Sequence, residues 1–208
     1  PGGPLEFDME VHAALRQAVG PGYPLMSDPV GEYTLGDAVR VARQLERLGY
    51  EWFEEPFRDF ELYKYTDLCR TVDIPIAATE TTRGCHWGVA QRIAQRAADI
   101  VRADVSWKNG VTGTLKIAHM ADGFGLNCEV HTTTMNYMDL ANVHVSCAIR
   151  NCKYFEYFVP EDQYRLPMKG DLPIRDGYIY APDKPGIGAE LDWELIGESC
   201  HSYRCQTL

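Results

Sequence analysis

Six ionisable residues recur along this chain on a nearly even beat: Asp28, Glu54, Glu80, Asp104, His131 and Glu156, separated by 26, 26, 24, 27 and 25 residues. Each closes or directly follows a short apolar run, which places it where a strand ends. In a parallel sheet of βα units the carboxyl ends of successive strands open into one crevice, where reaction chemistry is assembled. Asp28, Glu54 and Glu80 offer hard oxygen ligands. Three carboxylates in one cleft repel one another unless a divalent cation sits among them. Magnesium is the hard, oxygen-preferring ion that leaves positions open for water or substrate. Singly, each acid is better explained as a solvated loop residue; three on one period favour the cation. Asp104 and His131 follow on the next two strand ends. A carboxylate bonded to one imidazole nitrogen fixes the tautomer and raises the basicity of the other nitrogen, as a general base requires.

The elements that must position these residues alternate. Strand-like runs cover 23–27, 50–53, 74–78, 100–104, 127–131 and 154–158, and helical periods cover 35–48, 60–72, 88–98, 112–122 and 135–150. A further amphipathic helix spans 6–19. In 35–48, Ala38, Val41, Ala42, Leu45 and Leu48 make one apolar stripe, with Thr34 as the N-cap. Gly49 and Gly123 stand where helices should stop. This rhythm predicts an α/β fold, a parallel sheet with helical crossovers. Six units are countable, whereas a closed (β/α)8 barrel takes eight strands in about 250 residues. The shortfall, with a helix before the first strand, predicts that the chain is the downstream part of a longer polypeptide. Residues 1–158 are assigned to the barrel. Residues 159–196, with Pro160, Pro167, Pro173, Pro182 and Pro185, are assigned to an extended segment. Strand-like pieces are expected there at 178–180 and 191–195, and 197–208 form a tail.

The composition narrows the classes of partner. A net charge of −10 argues against nucleic acid and anionic membranes, and no apolar run reaches the length of a membrane span. It leaves room for a small anionic substrate beside a bound cation. Seven cysteines without a C-x-x-C pair point to reduced thiols in a cytoplasm. His12, His119 and His144 fall within helices on the outside, His201 lies in the tail, and Cys85-His86 reads as helix-entry scaffold. Trp107 and Lys108 follow Asp104 in a loop that faces a substrate or serves only the fold.

At these residues the sequence resembles the enolase superfamily, in its mandelate racemase-like branch. The matching pieces are LMSDP at 25–29, WFEEP at 52–56, IAATE at 76–80, DVSWKNGVTG at 104–113, the strand ending at His131, and FEYF at 155–158. The resemblance implies a modified (β/α)8 barrel without its capping domain and first strands, with 159–196 packing toward that capping domain. It also implies magnesium on Asp28, Glu54 and Glu80, with Glu54 rather than Glu55 as ligand, and a base dyad of His131 and Asp104. Glu156 would stand beside the substrate carboxylate in protonated form. The implied chemistry removes the proton α to a carboxylate, leading most naturally to dehydration of a sugar acid to a 2-keto-3-deoxy acid. Racemisation, epimerisation and cycloisomerisation are the alternatives, and an inactive barrel relative is a third reading. A homo-oligomer and the missing N-terminal portion are the implied partners. The chain departs from the branch at Val30, at Lys108-Asn109 in place of a glycine-rich turn, and in showing no second base of the K-x-K type.

Overall fold

The computed structural model describes residues 4–132, 136–159, 168–170 and 172–199. Helix α1 (Leu5–Val19) leads into a five-stranded parallel sheet ordered β1 (Met26–Ser27), β2 (Trp52–Glu54), β3 (Ile76–Ala78), β4 (Ile100–Ala103) and β5 (Asn127–Val130). The crossovers are α2 (Leu35–Leu48), α3 (Leu62–Thr71), α4 (Cys85–Ala94) and α5 (Gly110–Gly123), and α6 (Asn136–Ala148) follows β5. Among the described residues no helix is long and apolar enough to cross a membrane.

Local sequence explains these elements. Thr34 accepts the Asp37 amide at 3.2 Å to start α2, and Gly49, at φ 67°, returns its amide to the Glu46 carbonyl to end it. Between the caps Ala38, Val41, Ala42 and Leu45 are buried against Phe53, Ile76 and Ala78 of the sheet. A second cluster joins Val89 and Ile93 of α4 to Val101 and Ala103 of β4 and to Ile117 and Ala121 of α5. Gly123 is the last residue of α5 rather than the residue beyond it; Phe124 caps the helix, and Gly125 takes the positive φ.

Ladder register decides which face each residue serves. The pairs Met26 with Trp52, Glu54 with Ala77, Ala77 with Ile100, and Arg102 with Glu129 share one face. Alternation along each strand extends that face to Asp28, Asp104 and His131. It would also put Thr79 there, not Glu80. Thr79 breaks the alternation with φ 95°, and Glu80 is turned back among the inner residues, 3.5 Å from His131. The strain of such a β-branched residue is of order 1–3 kcal/mol. It is held by the Thr79 hydroxyl, which donates to the Arg102 carbonyl at 2.8 Å and accepts the Arg102 amide at 3.0 Å.

The expected sixth strand at 154–158 is not a strand. The Glu129 carboxylate takes the amides of Lys153 and Tyr154 at 2.9–3.2 Å, so these donors are spent on a side chain rather than on a β5 ladder. The segment leans across the inner face to β2 instead: Lys153 pairs with Glu51 at 3.1 Å, and the rings of Tyr154 and Trp52 are 5.7 Å apart. Further on, β6 (Ile174–Arg175) and β7 (Tyr178–Ile179) form an antiparallel hairpin. Asp176 and Gly177, both at positive φ, make its two-residue turn. The strand-like reading of 191–195 fails in part: Leu191 bridges Met168, but α7 (Trp193–Ser199) starts two residues later, with the Leu195 amide on the Asp192 carboxylate. Cys69, Cys85, Cys128, Cys147 and Cys152 are free thiols; Cys200 and Cys205 lie outside the described residues, as does most of the tail.

Replacing Thr79 with Val keeps the shape but leaves a buried amide and carbonyl of Arg102 without a partner, at a cost of about 1–3 kcal/mol. Equilibrium urea unfolding should show this loss for Thr79→Val and a near-native value for Thr79→Ser; equal stability of all three would refute the role given to the hydroxyl.

Candidate active site

The Asp104–His131 pair is assembled from three elements. Asp104, 0% exposed after β4, meets His131 Nδ1 at 3.1 Å through Oδ2. Its Oδ1 accepts the Ser106 amide at 2.7 Å and the Asn142 side-chain amide at 3.1 Å. Burial alone would raise the Asp104 pKa, but the bonds from His131, Ser106 and Asn142 outweigh it and hold the carboxyl below its usual range. Asn142, from α6, also donates to the His131 carbonyl and accepts the Val105 amide, so it fixes both members of the dyad. With Nδ1 committed to Asp104, Nε2 is the ring nitrogen free of that bond, and it faces Glu80 Oε2 at 3.5 Å.

The Trp107 ring lies over the His131 ring with centroids 4.8 Å apart, which places it at the site. Lys108 has a different fate. It is 1% exposed and its ammonium donates to the Thr82 carbonyl at 2.5 Å, so it braces two loops and is not available to a substrate. His12 bonds Ser27 and His144 bonds the Ile187 carbonyl, both away from the dyad, and Cys85-His86 opens α4 as scaffold.

The carboxylate half lies at the ends of β1, β2 and β3. Asp28 is exposed at the edge strand, and its Oδ1 accepts the Val30 amide at 3.0 Å while Val30 takes φ 54°. Desolvation, then the charge of Glu54, pushes the Asp28 carboxyl up to about 6. Glu80 is buried, and its Oε2 has no hydrogen-bond partner. Burial, then the charges of Glu54 and Glu55, pushes it up to about 10. An orphaned buried oxygen among mutually repelling acids fits a divalent cation. Glu54 is otherwise engaged: Oε2 accepts the Trp52 indole at 2.9 Å and Oε1 accepts Arg102 Nε at 2.5 Å. Among the described residues the acids are accordingly not drawn into a closed set of three ligands.

Glu55 is structural. It accepts the amides of Thr79 and Glu80 and the hydroxyls of Thr81 and Tyr65, and so fixes the loop that carries Glu80. Glu156 Oε2 accepts Arg102 Nη2 at 2.7 Å and the Thr132 amide at 3.0 Å. That oxygen is therefore an acceptor of two hydrogen bonds. Asp28, Glu54, Arg102 and Glu156 share the wall of one cavity of about 480 Å³.

The sequence reading missed Arg102, Asn142 and Glu55 as organisers of the site. Arg102 had a signal, a charge inside the otherwise apolar run IVRA. Asn142 had none, being one polar residue on a helix.

An enolase C-terminal domain-like family model matches residues 1–195. Arabinonate dehydratase of Saccharolobus solfataricus is 31% identical over 204 residues, covering 98% of this chain and 53% of that protein. D-galactarolactone cycloisomerase of Agrobacterium fabrum is 28% identical over 203 residues, covering 93% of this chain and 53% of that protein. A crystal structure of D-glucarate dehydratase from Agrobacterium tumefaciens, complexed with magnesium, superposes with a TM-score of 0.82 at 36% identity, covering 94% of this chain and 52% of that one. The chain thus spans about half the length of the relatives it matches. Fold and matched family agree: the chain belongs to the enolase superfamily, in its mandelate racemase/muconate lactonizing enzyme branch.

Proposed function

We propose that this chain carries the barrel part of a magnesium-dependent sugar-acid dehydratase. The observation that carries the reading is the His131 imidazole, fixed at Nδ1 by a buried Asp104 and aimed through Nε2 at Glu80. Asp28, Glu54 and Glu80 would hold the metal. When bound, magnesium supplies a Lewis acid for the negative charge that develops on the substrate carboxylate. His131 Nε2 takes the α-proton, and Asp104 stabilises the resulting imidazolium. Glu156, fixed by Arg102 and Thr132, flanks the carboxylate end of the substrate.

From the enolate, His131 can return its proton to the β-hydroxyl, which leaves as water; the enol product then tautomerises to a 2-keto-3-deoxy acid. One base on one face suffices for this sequence. The relatives named as dehydratases of arabinonate and glucarate support it. Cycloisomerisation is the second reading, favoured by the galactarolactone relative.

A sugar-acid screen in D₂O separates these readings. Keto-acid formation supports dehydration, whereas α-deuterium uptake without keto acid supports an isomerase. In either case His131→Asn should lower turnover by about 10²- to 10⁴-fold, the usual contribution of a positioned base. Unchanged turnover in that variant would remove the dyad from the mechanism.

Metal dependence is checked separately by calorimetry and thermal unfolding. Magnesium at one hundred times its Kd should add about 2.7 kcal/mol of stability. Asp28→Asn and Glu80→Gln should each weaken binding at least tenfold. Absence of saturable binding at millimolar metal would defeat the magnesium reading.

A further inference from the structure

One buried cation stands among the acids of this site. Arg102, 4% exposed on β4, gives Nε to Glu54 at 2.5 Å and Nη2 to Glu156 at 2.7 Å, with Nη1 3.4 Å from the Glu129 carbonyl. Its backbone is fixed as well, through both bonds of the Thr79 hydroxyl. Guanidinium cannot be deprotonated in a protein, so this positive charge is permanent, and its planar fork suits two carboxylates at once. Although burial opposes the charge, Glu54, Glu156 and Glu80 reinforce it.

The pairing creates a competition. Glu54 belongs to the proposed metal ligands, yet its Oε1 is already held by Arg102 and its Oε2 by the Trp52 indole, whereas Glu80 keeps a buried oxygen with no hydrogen bond. Glu156 is not a proposed ligand and has no reason to leave the guanidinium.

We propose that Arg102 is the site's resident counter-cation: it holds Glu54 in the absence of metal, yields that carboxylate on metal binding, and keeps Glu156 anchored throughout. It is a positioning residue that sets metal affinity. This inference rests on the magnesium reading above and goes beyond it by predicting that a buried arginine weakens the metal site it helps to build. A purely structural arginine predicts the opposite, because its loss would disorder the ligands.

The test is calorimetric titration of magnesium into wild type, Arg102→Gln and Arg102→Lys, with folding checked by circular dichroism. Arg102→Gln should bind magnesium at least tenfold more tightly, as expected when a unit charge a few ångströms from the ion is removed at an effective dielectric of about 20. Its kcat should fall as Glu156 loses its anchor. Arg102→Lys, which keeps the charge, should return to within about threefold of the wild-type affinity by the same electrostatic argument.

Unchanged or weaker binding by a folded Arg102→Gln overturns the role given to Arg102 while leaving the magnesium reading intact; no binding by wild type overturns both. Should the variants fail to fold, wild type labelled with ¹⁵N-arginine decides. The Arg102 Nε–H should be protected from solvent exchange without metal and lose that protection on magnesium saturation. Protection that survives saturation overturns the proposal.

Discussion

Repulsion among like charges is the constraint on which this structure depends. Asp28, Glu54, Glu80 and Glu156 come from four segments to one end of the sheet, where the burial of Glu54 and Glu80 weakens the screening water would provide. Without compensation such a cluster would open the fold or take up protons; burial first, and then the neighbouring acids, raise the pKa values of Asp28 and Glu80 in the second direction. The fold answers with fixed donors: Arg102 between Glu54 and Glu156, the Trp52 indole on Glu54, and the Thr132 amide on Glu156. Glu80 Oε2 receives no such donor. It is the acid most in need of a cation, and it is also the one beside the histidine.

Backbone strain is concentrated at the same place. Val30, Glu55 and Thr79 take positive φ just beyond β1, β2 and β3, one or two residues from Asp28, Glu54 and Glu80. Each departure has local support: the Asx bond of Asp28 to Val30, the four bonds of the Glu55 carboxylate, and the paired bonds of Thr79. Strained residues backed in this way are a feature of functional sites. They also explain why the apolar layer beneath must be rigid, as the fully buried Phe53, Ile76, Val101 and Val130 make it.

Much of this was legible in the amino-acid order. The period of the six site residues located the strand ends, and the stripe and caps of 35–48 delimited α2 to the residue. What escaped reading was set by tertiary contacts. Alternation alone points Glu80 the wrong way, and only the positive φ of Thr79, invisible in the letters IAATE, turns it inward. The run 154–158 has the composition of a strand, but Glu129 intercepts the amides at its entry, those of Lys153 and Tyr154. Arg102 and Asn142 lie off the beat, since residues that orient a site need not share the spacing of those that act in it. The chain matches relatives over about half their length.

The central claim is that the strand-end acids gather around one divalent cation beside His131. Anomalous scattering from crystals grown with manganese in place of magnesium addresses it most directly. The account predicts one peak bounded by Asp28, Glu54 and Glu80, with Glu54 released from Arg102 Nε and Glu156 still bound to Nη2. A peak elsewhere, or Glu54 still on Arg102 beside an occupied metal, would contradict it.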